Sequence, residues 1–118
     1  MAKTFDLCDR TFNFAIRAMQ VFDHLQSLEN RAGWVIANQF LRAATSIGAN
    51  IEEAQASESR ADFKHKMNIA QKEARETHYW LRLLIAGKIV PENRLTPLLD
   101  EANQLIAILT TICRKTKS

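Results

Sequence analysis

Glycine and proline are scarce, with three and two copies in 118 residues. An all-β fold draws on these two residues for its many tight turns, so their scarcity argues against one. Cysteine is just as sparse. Cys8 and Cys113 are too few for a disulfide framework and too far apart for a Cys-x-x-Cys metal or redox site. They read as two buried thiols, although both would fall at one end of an up-down-up-down bundle, where a bridge is conceivable. No apolar run approaches the ~20 residues that span a bilayer. Met1 to Phe5 carries no long apolar stretch followed by small residues, so no secretory signal is expected and the expected location is cytoplasmic.

The remaining composition is that of a globular protein: 47% hydrophobic and 25% charged. The length fits a single domain over residues 1–118, able to bury a core without metal or disulfide staples. The net charge of +3 is mild, but its distribution is uneven. Residues 1–59 hold five basic and seven acidic side chains; residues 60–118 hold eleven and six, a difference of +5. Such an excess can attract polyanions and also occurs in proteins that bind none.

Hydrophobic spacing predicts four helices. Over Asp6 to Leu28, one stripe of Phe5, Cys8, Phe12, Ala15, Met19 and Phe22 repeats at three and four residues. A second stripe of Leu7, Phe14, Ala18, Val21, Leu25 and Leu28 lies on nearly the opposite side. After a break near Glu29 to Gly33, helix two runs to about Ser57 on a seam of Ile36, Phe40, Ala43, Ile47, Ile51 and Ala54. Gly48 lies within it among small residues, which predicts close approach of a neighbouring helix. Ser59 is the expected N-cap of helix three, which carries Phe63, Met67, Ala70, Ala74, Thr77, Leu81 and Leu84. Gly87 is the expected C′ residue ending it. Pro91 suits the start of helix four, whose seam is Leu95, Leu98, Ala102, Leu105, Leu109 and Ile112. Four helices, short loops and matching stripes predict an all-α, antiparallel up-down-up-down four-helix bundle.

Catalytic and metal chemistry find little support. A di-metal carboxylate bundle needs a Glu-x-x-His from each of two helices. Asp62-Phe63-Lys64-His65 comes nearest, once and with Asp for Glu. His24, His65 and His78 share no ligand spacing. Neither a phosphate-binding glycine loop nor a nucleophile elbow is legible. No catalytic residue, cofactor or metal is expected, and the chain reads as a non-enzyme.

Two polar stripes carry more information. Gln39, Arg42, Ser46, Asn50 and Glu53 border the seam of helix two, which predicts a hydrogen-bonded network or a wet subunit contact. On helix three, Arg60, Lys64, Asn68, Gln71, Arg75, His78 and Arg82 share one face uninterrupted by carboxylates. This face reads either as a track for a phosphate backbone or as an ordinary solvated surface. The candidate nucleic-acid contacts are Arg60, Lys64, Arg75, His78 and Arg82.

The run Arg42-Ala43-Ala44-Thr45-Ser46-Ile47-Gly48-Ala49-Asn50-Ile51-Glu52-Glu53-Ala54 and the run Lys72-Glu73-Ala74-Arg75-Glu76-Thr77-His78-Tyr79-Trp80-Leu81 carry a family pattern. Phe63 and Lys66 fit it, and Phe14-Ala15-Ile16-Arg17 matches loosely. The chain resembles the small four-helix-bundle proteins encoded within intervening sequences of bacterial large-subunit ribosomal RNA genes. That resemblance implies a cytosolic homopentamer of unknown biochemical role. A related bundle family, the accessory proteins of diversity-generating retroelements, implies a basic pentamer that binds nucleic acid and a reverse transcriptase.

The two stripes of helix one point independently to self-association, because one bundle core buries only one of them. The second stripe, Leu7, Phe14, Val21, Leu25 and Leu28, is the expected oligomer interface. Trp34, Tyr79 and Trp80 also lie off the seams, as interface aromatics do. The expected function is a non-enzymatic oligomeric scaffold that binds RNA, DNA or a ribonucleoprotein through its basic face. The alternative is a purely structural or protein-docking module. No membrane partner is expected.

Overall fold

The chain is described by a computed structural model covering residues 2–116, with side chains from Asp6 onward. The side chain of Phe5 and the tail residue Lys117 lie outside the described residues. Four helices follow one another: α1 (Ala2–Gln26), α2 (Arg31–Gln55), α3 (Arg60–Ala86) and α4 (Glu92–Lys115). They form an elongated bundle of 47 × 20 × 20 Å.

The helix starts follow from capping chemistry. Asn30 caps α2, its side-chain oxygen accepting from the Gly33 amide at 2.8 Å. Ser59 caps α3 as expected, accepting from the Asp62 amide at 3.0 Å. Pro91 takes the N-cap position of α4, with φ −59°. The end of α3 differs from expectation. Gly87 keeps a right-handed conformation, φ −78°, and the left-handed residue is its neighbour Lys88, φ 58°. Gly87 is packed to the α3 end instead, where a Cβ would lie 3.1 Å from the Leu83 carbonyl oxygen.

The seams of α2, α3 and α4 bury much as their spacing predicts, with Ile36, Phe63 and Ile112 half-buried at the margins. Gly48 meets α1 closely: an added Cβ would sit 3.1 Å from Thr11 Oγ1 and 3.3 Å from Thr11 Cβ. Thr11 is itself buried, its hydroxyl donating to the Leu7 carbonyl at 2.8 Å. The small residue on one helix and the inward-turned hydroxyl on the other let the two backbones approach.

Helix α1 corrects the sequence expectation. Leu7 and Phe14 are only 2% and 1% exposed, and Ala18 and Leu25 are fully buried. Val21 and Leu28 are half-buried against the same core. The stripe expected at an oligomer interface is therefore the core stripe. The exposed apolar face belongs to the other side of the helix: Phe12 is 59% and Met19 55% exposed, with Ile16 beside them. Two apolar stripes on one helix are indistinguishable by period alone. What separates them is Thr11, whose place among Leu7, Phe14 and Ala18 faces Gly48 of α2.

The helices pack as a series. α1 lies on α2, α2 on α3 and α3 on α4, whereas the α1 and α4 backbones approach each other at only a few points. Their main polar link is Arg10, whose guanidinium meets both carboxylate oxygens of Glu101 at 2.9 and 2.7 Å and the Gln104 side chain at 3.0 Å.

Candidate nucleic-acid interface

The outward face of α3 repeats basic and polar groups at helical spacing. Arg60, Asn68, Arg75 and Arg82 are exposed, and Lys64, Gln71 and His78 are half-buried along the border with α4. Lys72 and His65, on the same helix, are also exposed. Lys64 to Arg82 spans ~27 Å at ~1.5 Å per residue. The carboxylates of α3 are turned elsewhere. Glu73, nearly buried, accepts from Arg42 of α2 at 3.2 Å, and Glu76 accepts from the same guanidinium. Glu76 also receives the Trp80 indole N–H at 3.0 Å. Asp62 stands in the first turn, at the positive end of the helix.

The stripe is not chemically uniform. Gln71 is committed to α4, donating to Thr110 Oγ1 at 2.8 Å. Arg82 places its Cζ 5.7 Å from the centroid of the exposed Tyr79 ring, a cation–π arrangement that holds the guanidinium at the surface. Burial lowers the His78 imidazole below its ordinary value, and Arg82 lowers it further. His78 therefore offers a neutral ring at neutral pH, and the positive charge of the face comes from arginine and lysine.

The stripe on helix two resolves differently from its expectation. Arg42, Ser46, Asn50 and Glu53 do not bond to one another through their side chains. Ser46 Oγ donates to the Arg42 carbonyl at 2.7 Å, and Asn50 Nδ2 to the Ser46 carbonyl at 2.8 Å. Ser46 and Asn50 are thus satisfied by their own helix. Arg42 and Glu53 instead reach α3: Arg42 binds Glu73 and Glu76, and Glu53 accepts from Lys66 at 2.8 Å. Glu53 is exposed, so within the subunit a surface ion pair stands where a hydrogen-bonded network was expected.

Cys8 and Cys113 are both free and half-buried. The thiol of Cys8 is raised by burial and by Glu52 of α2, whereas Cys113 is raised by burial and sees Lys64 of α3. They therefore border different neighbouring helices, and both stay protonated. Among the described residues, no group of three or more His, Cys, Asp or Glu side chains is placed to hold a metal ion. Among the same residues, no helix is long and apolar enough to cross a membrane.

Exposed apolar groups, which sequence reasoning placed on the wrong side of α1, gather on two fronts. One is Phe12, Ile16 and Met19 of α1, with Trp34 exposed at the start of α2. The other joins α2 to α3. Val35 is two turns before Arg42 on the same side of α2, the side that reaches Glu76, and Tyr79 packs edge-on to Trp80 with centroids 5.1 Å apart. The missed signal was Thr11 and Gly48 read together as a contact pair.

Comparison with known proteins agrees with this architecture. Residues 3–111 match the family described as 23S rRNA-intervening sequence protein. The crystal structure of a protein of unknown function from the S23 ribosomal protein family of Bacteroides thetaiotaomicron VPI-5482 is similar at 36% identity and a TM-score of 0.87. The similarity covers 96% of this chain and 99% of that one. No curated protein matches the chain. A match over nearly the whole four-helix chain, together with a shared fold at this identity, places the chain in the 23S rRNA-intervening sequence protein family.

Proposed function

We propose that the protein is a non-enzymatic, cytoplasmic, oligomeric scaffold that binds RNA or DNA through the outward face of α3. The observation that carries this reading is the charge separation on α3. Its glutamates meet Arg42 of α2, which leaves Lys64, Arg75 and Arg82 on a face without an acid. A polyanion approaching this face meets cations at helical intervals and a stacked Arg82–Tyr79 pair. Duplex DNA presents about one phosphate charge per 1.7 Å of axis, so a single face neutralises only a few of them. One subunit then binds weakly, and several faces in one assembly bind by raised effective concentration.

Self-association rests on two exposed apolar groups, Phe12, Ile16 and Met19 on α1 and Val35 on α2. They occupy different sides of the subunit, so the contact that joins them is head-to-tail. Repeated through a closing rotation, such a contact makes a ring. The ring size implied by family resemblance is five. A ribonucleoprotein, the kind of partner implied by resemblance to the accessory proteins of diversity-generating retroelements, is a further polyanionic target for the same face.

Mobility-shift titrations with generic RNA and DNA of increasing length, over a salt series, test the binding. Affinity should rise with length, ignore sequence and fall steeply with salt. The double variant Arg75→Gln and Arg82→Gln should weaken binding and reduce the salt slope while leaving assembly unchanged. Failure to retain long RNA or DNA at about 50 mM salt, where such binding is strong, would refute the reading and leave a protein-docking module.

A further inference from the structure

The loose seam between α1 and α4 contains a second site with a different character. Arg10 and Glu101 clasp the two helices part-way along, and the cleft on the α1 C-terminal side of that clasp is about 270 Å³. Its apolar surface includes Val21 of α1 and Leu95 and Leu98 of α4, and its polar rim carries Arg17, His24 and Arg94. No carboxylate lines it. The two arginines come from opposite walls. Among the described residues, neither enters an ion pair, whereas Arg10 on the clasp and Arg42 on α2 do. An anion seated between the two walls would meet a guanidinium from each and no acid.

We infer that this cleft binds a small organic anion, a carboxylate carried on a short hydrocarbon body. The volume lies just below the roughly 300 Å³ at which organic ligand pockets usually begin, which excludes a long acyl chain. The floor accepts apolar surface that a bare inorganic anion lacks, and the guanidinium forks suit a carboxylate bidentately. Apart from His24, no nucleophile and no carboxylate base lines the cleft, so what it offers is binding. It lies between α1 and α4, away from the outward face of α3, so it stands or falls independently of nucleic-acid binding.

Hexanoate is the probe, titrated into the full-length protein by isothermal calorimetry and followed by NMR shifts of the Val21, Leu95 and Leu98 methyl groups. Saturable binding with shifts at these methyls is expected. Hexanol, which lacks the charge, and inorganic phosphate, which lacks the hydrocarbon, should each bind at least tenfold more weakly. Arg17→Gln and Arg94→Gln should each weaken hexanoate by roughly tenfold, the scale of one charge-assisted contact. Both positions lie outside the core, so an unchanged thermal midpoint is expected to accompany the loss. No saturable hexanoate binding overturns the inference. So does equal binding of hexanol or phosphate by the native protein, which needs no variant to fold.

Discussion

His78 shows what the fold does to a residue that the sequence presents as one more basic group. Burial against α4 and the neighbouring Arg82 both disfavour its protonated form. The unfolded chain therefore takes up a proton at a higher pH than the folded chain does. Stability linked to His78 is full above the ordinary value of 6.5 and declines as pH falls through the lower folded value. The denaturant midpoint should drop as pH falls below the ordinary histidine value of 6.5, ahead of the range where most carboxylates titrate. His78→Gln should remove the part of that drop due to this residue; an identical drop in the variant would contradict the assignment. The same residue marks a limit of reading spacing. Period three-four put His78 on the face of Arg75 and Arg82, and the face is correct. Whether a ring on that face is solvated or half-buried depends on the packing of α3 against α4, which spacing along one helix does not contain. The N-cap Ser59 was legible because its partner, the Asp62 amide, is three residues away. The turn at Gly87 and Lys88 was not, because the position of the left-handed residue depends on how the chain rejoins α4.

At the scale of the helix, α2, α3 and α4 each carry one apolar seam, and each seam is buried. α1 carries two, and hydrophobic period cannot rank them. Packing ranks them by fit: Thr11 with its neighbours Leu7 and Phe14 nests against Gly48, while Phe12 and Met19 are left outward. The consequence can be tested by charge. Phe12→Asp with Met19→Asp should leave the bundle folded and yield monomers of 13.5 kDa by light scattering. Phe14→Asp should instead unfold the bundle, because it buries a carboxylate in a site that is 1% exposed. A native protein that is already monomeric would remove the interface from the outward face of α1. The ion pairs of Arg42 and Glu53 were likewise half-legible: spacing aligned the residues on α2, but their partners lie on α3.

For the whole molecule, a linear series of helices has a kinetic meaning. Every extensive packing contact joins helices consecutive in the chain, and the pair farthest apart in sequence, α1 and α4, is the one that hardly meets. Folding never waits for the two ends of the chain to find each other, so the entropy of closing the longest loop is not a barrier to be crossed first. A helical chain of such low contact order should reach its folded subunit in the ~μs–ms range. In stopped-flow refolding this phase should be independent of protein concentration, with any slower, concentration-dependent phase belonging to assembly. A concentration-independent phase lasting seconds would mean that the α1–α4 seam has to form early. As the structure stands, that seam can close last, and a ligand seated in it can leave the order of folding untouched.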